Sequence, residues 1–255
     1  MKSFKIIKIK KNNRESAEDI VVEEVPLTLI IDGKELVTLL CMPADLEDLV
    51  RGFLFTSGLI GNIQEIEKII IDQQCQFAYI DLLDDSITKD LIFKRVYTSG
   101  CGREALFYDA SDLVRKFKVI SEFSIKAKKI NEFVANFHRM SQVYLKTGGA
   151  HSAALADKNS ILIFKEDIGR HNAIDKVVGN RLKQGGSFED MLLITSGRIS
   201  SEVILKAQKC GIPIVVSRSA STNEAIKLAR QIGITLVAFA RGNRMNVYSN
   251  EERII

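Results

Sequence analysis

The chain has 255 residues, 46% hydrophobic and 27% charged, with a net charge of +4: globular composition, sufficient for one large or two smaller cores, with a basic excess that suits anionic small molecules or an acidic partner and falls short of a nucleic-acid footprint. No apolar run approaches the roughly 18 residues of a membrane span, and the Lys-rich stretch from Met1 to Lys11 lacks the apolar core that follows in a secretory signal. The cysteines, at 41, 75, 101 and 210, form no Cys-x-x-Cys pair, so a cytoplasmic protein with reduced thiols and no resident metal is expected.

Residues 1 to 40 read as strands. Val21 to Val25, Leu27 to Ile31 and Leu36 to Leu40 are β-branched or aliphatic, and Asp32-Gly33 is a hairpin signal. Pro43-Ala44-Asp45 opens a helix. Leu46, Leu49, Val50, Phe53 and Leu54 recur at helical spacing, acidic residues crowd the first turn, and Gly58 stops it. Strands follow at Ile63 to Ile71 and Phe77 to Leu82, with Cys75 in the polar turn between them. An apolar stretch at 91–97 leads into Thr98-Ser99-Gly100-Cys101-Gly102-Arg103-Glu104. Glycine on both sides of Cys101 lets a partner approach the sulfur, and a neighbouring cation favours the thiolate, the reactive form. A plain solvent-facing turn is the alternative. Charged, weakly patterned sequence between Ser111 and Lys129 places a boundary there, dividing a β-rich N-terminal domain (residues 1–123) from an α/β domain (residues 124–255).

The second domain opens with a helix carrying Ile130, Phe133, Val134, Phe137 and Met140 on one face, with His138 off that stripe as a surface histidine. Thr147-Gly148-Gly149-Ala150-His151-Ser152 is either a helix C-cap or a turn that a ligand approaches closely. Strands at 161–165, 191–195, 212–216 and 234–239 then alternate with helices at 171–184, 200–209 and 222–231. That alternation predicts right-handed crossovers and a mostly parallel sheet with helices on its faces.

In such a sheet, ligands bind beyond the carboxyl ends of the strands. These ends hold Asp167, Arg170 and His171; Ser196 and Arg198; Arg218 and Ser219; and Arg241 and Arg244. Helix N-termini present free N–H groups to anions, and guanidinium forks grip phosphates. The repetition of arginine at successive ends predicts a polyanion site with a nucleotide base in the cleft, and Gly148, Gly149 and His151 are counted among its candidate residues. Asp167 and His171 are open to a second reading as an acid–base pair, and to a third in which Asp167 caps the helix and His171 packs against it.

Several runs resemble the formate dehydrogenase accessory protein family, FdhD. They are Thr147-Gly148-Gly149-Ala150-His151, Glu166-Asp167-Ile168-Gly169-Arg170-His171-Asn172-Ala173-Ile174-Asp175-Lys176, Thr195-Ser196-Gly197-Arg198 and Phe239-Ala240-Arg241-Gly242-Asn243-Arg244-Met245-Asn246. The resemblance implies a sulfurtransferase that takes persulfide sulfur from a cysteine desulfurase and passes it to molybdenum held by two molybdopterin guanine dinucleotides, before that cofactor enters formate dehydrogenase. Guanine nucleotides would mimic this client. It further implies a three-layer, cytidine deaminase-like α/β domain and a homodimer. The His-x-Glu and Pro-Cys-x-x-Cys zinc signature of the deaminases is absent. By the resemblance, Cys101 is the persulfide carrier, and Phe239, Ala240, Arg241, Gly242, Asn243 and Arg244 form the cofactor-binding segment. Glu104 stands where many members have a second cysteine, which puts a dithiol step in doubt. The alternatives are a chaperone that delivers the cofactor without transferring sulfur, and an enzyme on a nucleotide substrate with His171 as base.

Overall fold

The computed structural model describes residues 1–83 and 118–255 and the short strands at 96–97 and 105–106. The Cys101 loop, with Arg103 and Glu104, lies outside the described residues.

The N-terminal third is built from strands. β1 (Lys2–Lys10) and β2 (Asn13–Val21) pair as an antiparallel ribbon. β3 (Val25–Ile31) and β4 (Lys34–Cys41) form the expected hairpin. Asp32 and Gly33 between them both have positive φ (47° and 75°), which a tight turn of the primed type requires. α1 (Leu46–Thr56) follows. The run at 63–71 begins as a 3-10 turn (Ile63–Glu65) before β5 (Ile66–Asp72), because Asn62 and Glu65 make a reciprocal capping box. β6 (Phe77–Leu82) completes a four-stranded sheet of order β4-β3-β6-β5. β7 (Val96–Tyr97) and β8 (Ala105–Leu106) pair with each other.

The remainder is α2 (Ala127–Met140), α3 (Gln142–Thr147), β9 (His151–Ala156), β10 (Ile161–Asp167), α4 (Arg170–Lys183), β11 (Leu192–Thr195), α5 (Ser201–Cys210), β12 (Ile214–Ser217), α6 (Asn223–Ile232), β13 (Thr235–Arg241) and β14 (Arg244–Ser249). The six-stranded sheet has the order β10-β9-β11-β12-β13-β14. It is mixed rather than mostly parallel. Only β11, β12 and β13 pair in parallel; β9 is antiparallel to both β10 and β11, and β14 to β13. The reason is connection length: the turns at 157–160 and 242–243 are too short for a crossover, so those neighbours return as hairpins. Two of these strands, β9 and β14, were not predicted. β9 is buried on both faces from Ser152 onward, so it shows no alternation.

Successive residues of the central strands serve opposite faces. Leu193 and Val215 join the larger core, formed with α1, α4, α5, α6 and the small sheet, while Leu192, Ile194, Ile214 and Val216 join a second core under α2. From α2 that second core takes Ile130, Phe133, Val134 and Phe137, as its stripe predicts. Met140, assigned to the same stripe, is 40% exposed because the helix ends there.

α1 and α4 cross at backbone contact. A Cβ on Gly52 would lie 1.8 Å from the Asp175 carbonyl oxygen, and one on Gly179 would lie 1.9 Å from that of Asp48. Only glycine permits this approach. It brings Thr56 of α1 to Asp175 of α4, where the hydroxyl donates to the carboxylate at 2.7 Å beside Lys206 of α5. No helix among the described residues is long and apolar enough to cross a membrane.

Candidate functional site

The topology gathers the strand ends at one edge. β10, β11, β12 and β13 run the same way, and the antiparallel β9 begins where they finish. A cavity of about 460 Å³ opens at this edge between the sheet, the end of α2, and α3. β9 contributes His151, the ends of β11 and β12 contribute Ser196 and Arg218, and β13 contributes Arg241. Gly148, which caps α3 with φ 68°, and Gly149 form one wall, so the Gly-Gly-Ala-His run is both a cap and a close-approach turn.

A chain of hydroxyls fixes His151. Ser141 Oγ donates to the Phe137 carbonyl oxygen at 3.0 Å, which leaves it to accept from Ser152 Oγ at 2.9 Å. Ser196 Oγ accepts the Ser152 backbone N–H at 3.0 Å and is hydrogen-bonded to His151 Nδ1, 3.2 Å away. Burial, and after it the charge of Arg170, hold the imidazole below its ordinary pKa, against the pull of Asp167. At neutral pH His151 is an uncharged N–H donor.

The two arginines are tied together. Arg241 Nε donates to the Arg218 carbonyl oxygen at 2.7 Å, and Arg218 Nη1 donates to His138 Nδ1. Among the described residues neither guanidinium pairs with a carboxylate; burial, and after it the repulsion of Arg241, hold Arg218 below its ordinary pKa, against the pull of Tyr144. Adjacent cations in a concave surface attract anions.

The other residues expected at the site separate into three groups. Asp167 is fully buried and lies behind the cavity. Its carboxylate accepts from Lys176 Nζ (2.6 Å), the Met42 N–H (3.0 Å), the Gly169 N–H (2.9 Å) and Asn172 Nδ2 (3.0 Å). It therefore fixes the β10–α4 turn to the segment after β4, and it has no lone pair directed to a ligand. His171 is 3% exposed, 3.5 Å from Glu202, and does not line the cavity. Burial, then Lys206 and Arg170, lower its pKa well below the ordinary value. This is the packed histidine of the third reading, and a catalytic base there is not supported.

Arg198 is exposed away from the cavity wall. Arg170 lies over Gly197, whose Cβ, if it had one, would meet the arginine's own Cβ at 2.9 Å. In the C-terminal segment only Arg241 lines the cavity. Ala240 is buried in the core under α2, Gly242 and Asn243 make the β13–β14 turn, and Arg244 opens β14 opposite Arg241. Phe239 has φ 53°, a left-handed backbone that is an outlier for a bulky residue, and it sits at a register shift of β13 with 37% of its surface exposed. Its N–H donates to the Ser219 carbonyl oxygen at 2.9 Å, so the distortion ties β13 to the segment holding Arg218.

His138 and Tyr144 line the cavity without having been expected there. His138 falls off the apolar stripe, as read from the sequence, but the last turn of α2 overhangs the sheet edge and turns that position toward Arg218.

Residues 22–255 match the FdhD/NarQ family. The chain belongs to that family. Relatives named sulfur carrier protein FdhD are 42% identical in Bacillus subtilis (93% of this chain, 91% of the relative), 39% in Geobacillus kaustophilus (93% and 91%) and 38% in Staphylococcus aureus (93% and 90%). A crystal structure from Desulfotalea psychrophila, described as a candidate formate dehydrogenase accessory protein, superposes with a TM-score of 0.82 at 26% identity, covering 99% of this chain and 98% of its own. The mixed α/β architecture with several sheets is thus shared with that structure, and the cavity edge described above falls within the matched region.

Proposed function

We propose that this family member is a sulfur carrier serving formate dehydrogenase, with Cys101 as the carrying thiol and the cavity as the seat of a guanine nucleotide portion of the molybdenum cofactor that receives the sulfur. The observation that carries the cofactor half is the pair Arg218 and Arg241, unmatched by any described carboxylate at a concave strand edge of about 460 Å³. That volume falls within the roughly 300–1,000 Å³ of small-molecule sites. Neutral His151, which carries a single N–H, adds a directional contact without charge.

The cysteines support the sulfur half. Burial pushes the Cys41 thiol up to about 12 and raises that of Cys210 further. Cys75 is exposed, but its hydrogen bond to Asp72 raises it as well. None of these three is disposed to be a thiolate, the form that attacks sulfur. In the proposed step the Cys101 thiolate attacks the outer sulfur of a desulfurase persulfide. The donor S–S bond breaks, the donor cysteine leaves as a thiolate, and the new S–S bond holds the sulfur on Cys101.

Glu104, standing where many members have a second cysteine, keeps a second reading open: a chaperone that binds the cofactor and delivers it unchanged. Replacing Cys101 by alanine separates the two. Loss of formate dehydrogenase activity with retained guanine nucleotide binding supports the carrier; full activity supports the chaperone.

A further inference from the structure

His138 has no assigned role, yet it is the only side chain hydrogen-bonded to the Arg218 guanidinium among the described residues. The geometry has three parts. Nδ1 of His138 accepts from Arg218 Nη1. The Tyr144 ring, on α3, lies 6.3 Å from the imidazole at 57° and confines it from the other side. Arg218 in turn holds Arg241 through its carbonyl oxygen. The elements around His138 bring few titratable groups. α3 brings Tyr144, the end of β12 brings Arg218, and β13 brings Arg241 behind it. On β10, Glu166 is occupied by the backbone N–H groups of Val143 and Tyr144 at 3.0 and 3.1 Å. His151 shares the cavity.

A guanidinium has five donors and no acceptor, so the nitrogen it faces must be unprotonated. Two guanidiniums side by side repel, and without a tether the long Arg218 side chain would swing into water. We propose that His138 is a positioning residue: as a neutral acceptor it aims Arg218 into the cavity toward an anionic, phosphate-bearing ligand, and on protonation it releases Arg218 and weakens binding. This rests on the anion reading of the cavity. Burial, and then Arg218 itself, hold His138 below its ordinary pKa, so the neutral state prevails at physiological pH.

The test is calorimetric titration of the full chain with guanosine diphosphate, and separately with inorganic pyrophosphate, between pH 5.5 and 7.5. His138→Leu has no acceptor. His138→Asn places an amide oxygen near the position of Nδ1 and does not titrate. At pH 7.5, His138→Leu is expected to weaken binding about tenfold, an effect of about 1.4 kcal/mol, while His138→Asn stays within about threefold of wild type, less than half of that free energy. As pH falls, wild type loses affinity relative to His138→Asn, a comparison in which titration of the ligand cancels. In an Arg218→Gln background, His138→Leu has little further effect, because the role runs through Arg218.

The proposal is overturned if His138→Asn binds as poorly as His138→Leu, if the ratio of wild type to His138→Asn is flat with pH, or if His138→Leu costs as much without Arg218 as with it. If neither probe binds wild type, or if Arg218→Gln and Arg241→Gln bind as wild type does, the anion reading itself fails and the positioning role falls with it.

Discussion

Lys176 Nζ lies 2.6 Å from Asp167 Oδ2, and neither side chain has any exposure. The lysine also reaches the Met42 and Glu166 carbonyl oxygens at 3.4 Å. The pair spans the α4 interior and the turn that starts it, and through Met42 it reaches the end of β4. Removing one partner of a buried pair strands a charge, at a cost of about 3–5 kcal/mol. Lys176→Met is therefore expected to lower stability by that amount in urea unfolding. A loss below about 1 kcal/mol, the value of an exposed pair, would contradict the structure.

The crossing of α1 and α4 gives a sharper steric prediction. Gly52→Ala and Gly179→Ala each drive a methyl group into a backbone carbonyl. Backbone cannot rotate aside as a side chain can, so each is expected to cost about 3 kcal/mol or more, at the upper end of overpacking. Gly185→Ala is the control: nothing lies within 4 Å, and only its φ of 66° resists, at about 1 kcal/mol. Equal effects at Gly52 and Gly185 would show that the helices are further apart than described.

Acidification should destabilise the fold. The three histidines of the chain, His138, His151 and His171, all have depressed pKa values. A depressed imidazole stays neutral in the fold while the unfolded chain takes up a proton near pH 6.5, so the unfolded state binds more protons and stability falls as pH drops below that value. For His171 the slope approaches about 1.4 kcal/mol per pH unit. The urea midpoint of wild type is expected to fall between pH 7 and 5, and His171→Gln to fall less. Imidazole NMR signals provide an independent check: His171 should titrate well below the ordinary imidazole range, and its titration near 6.5 would refute the burial argument.

Ligand binding should be strongly salt dependent. In the proposed function Arg218 and Arg241 act as cations against a polyanion, and partly exposed charges are screened within about 8 Å at physiological ionic strength. Raising salt from 50 to 500 mM is expected to weaken binding of a guanine nucleotide by about tenfold, a figure set by roughly two charge contacts. Arg241→Gln should bind more weakly at low salt and respond less to salt. Salt-independent binding would assign recognition to the base and the hydroxyl groups instead.

Much of the fold is legible in the sequence where one periodicity dominates. α2 shows its buried stripe, α6 its Thr222 cap and Gly233 stop, and the β3–β4 hairpin its Asp-Gly turn. β9 is invisible because a strand buried on both faces, rich in alanine, has no period to detect. The mixed sheet is concealed for a related reason: alternating strands and helices suggest crossovers, and the short turns that make hairpins of β9–β10 and β13–β14 become decisive only once β9 and β14 are recognised as strands. At the site, arginines recur at successive strand ends, and Arg218 and Arg241 are joined at one edge of the sheet. The sequence overstates the rest. Asp167 and His171 are chemically suggestive, but the turn that carries them faces inward, so their polar atoms serve packing. His138 is understated because its role depends on which end of the sheet α2 overhangs.

The central claim is that sulfur rides on Cys101. Mass spectrometry of the protein after incubation with a cysteine desulfurase and cysteine tests it most directly, because a persulfide adds one sulfur, about 32 Da, to a single thiol-bearing peptide. The account expects that addition on the peptide containing Cys101, its removal by a reductant, and its absence from Cys101→Ala. Addition at Cys75 instead, or no addition under conditions that load the desulfurase itself, would contradict it.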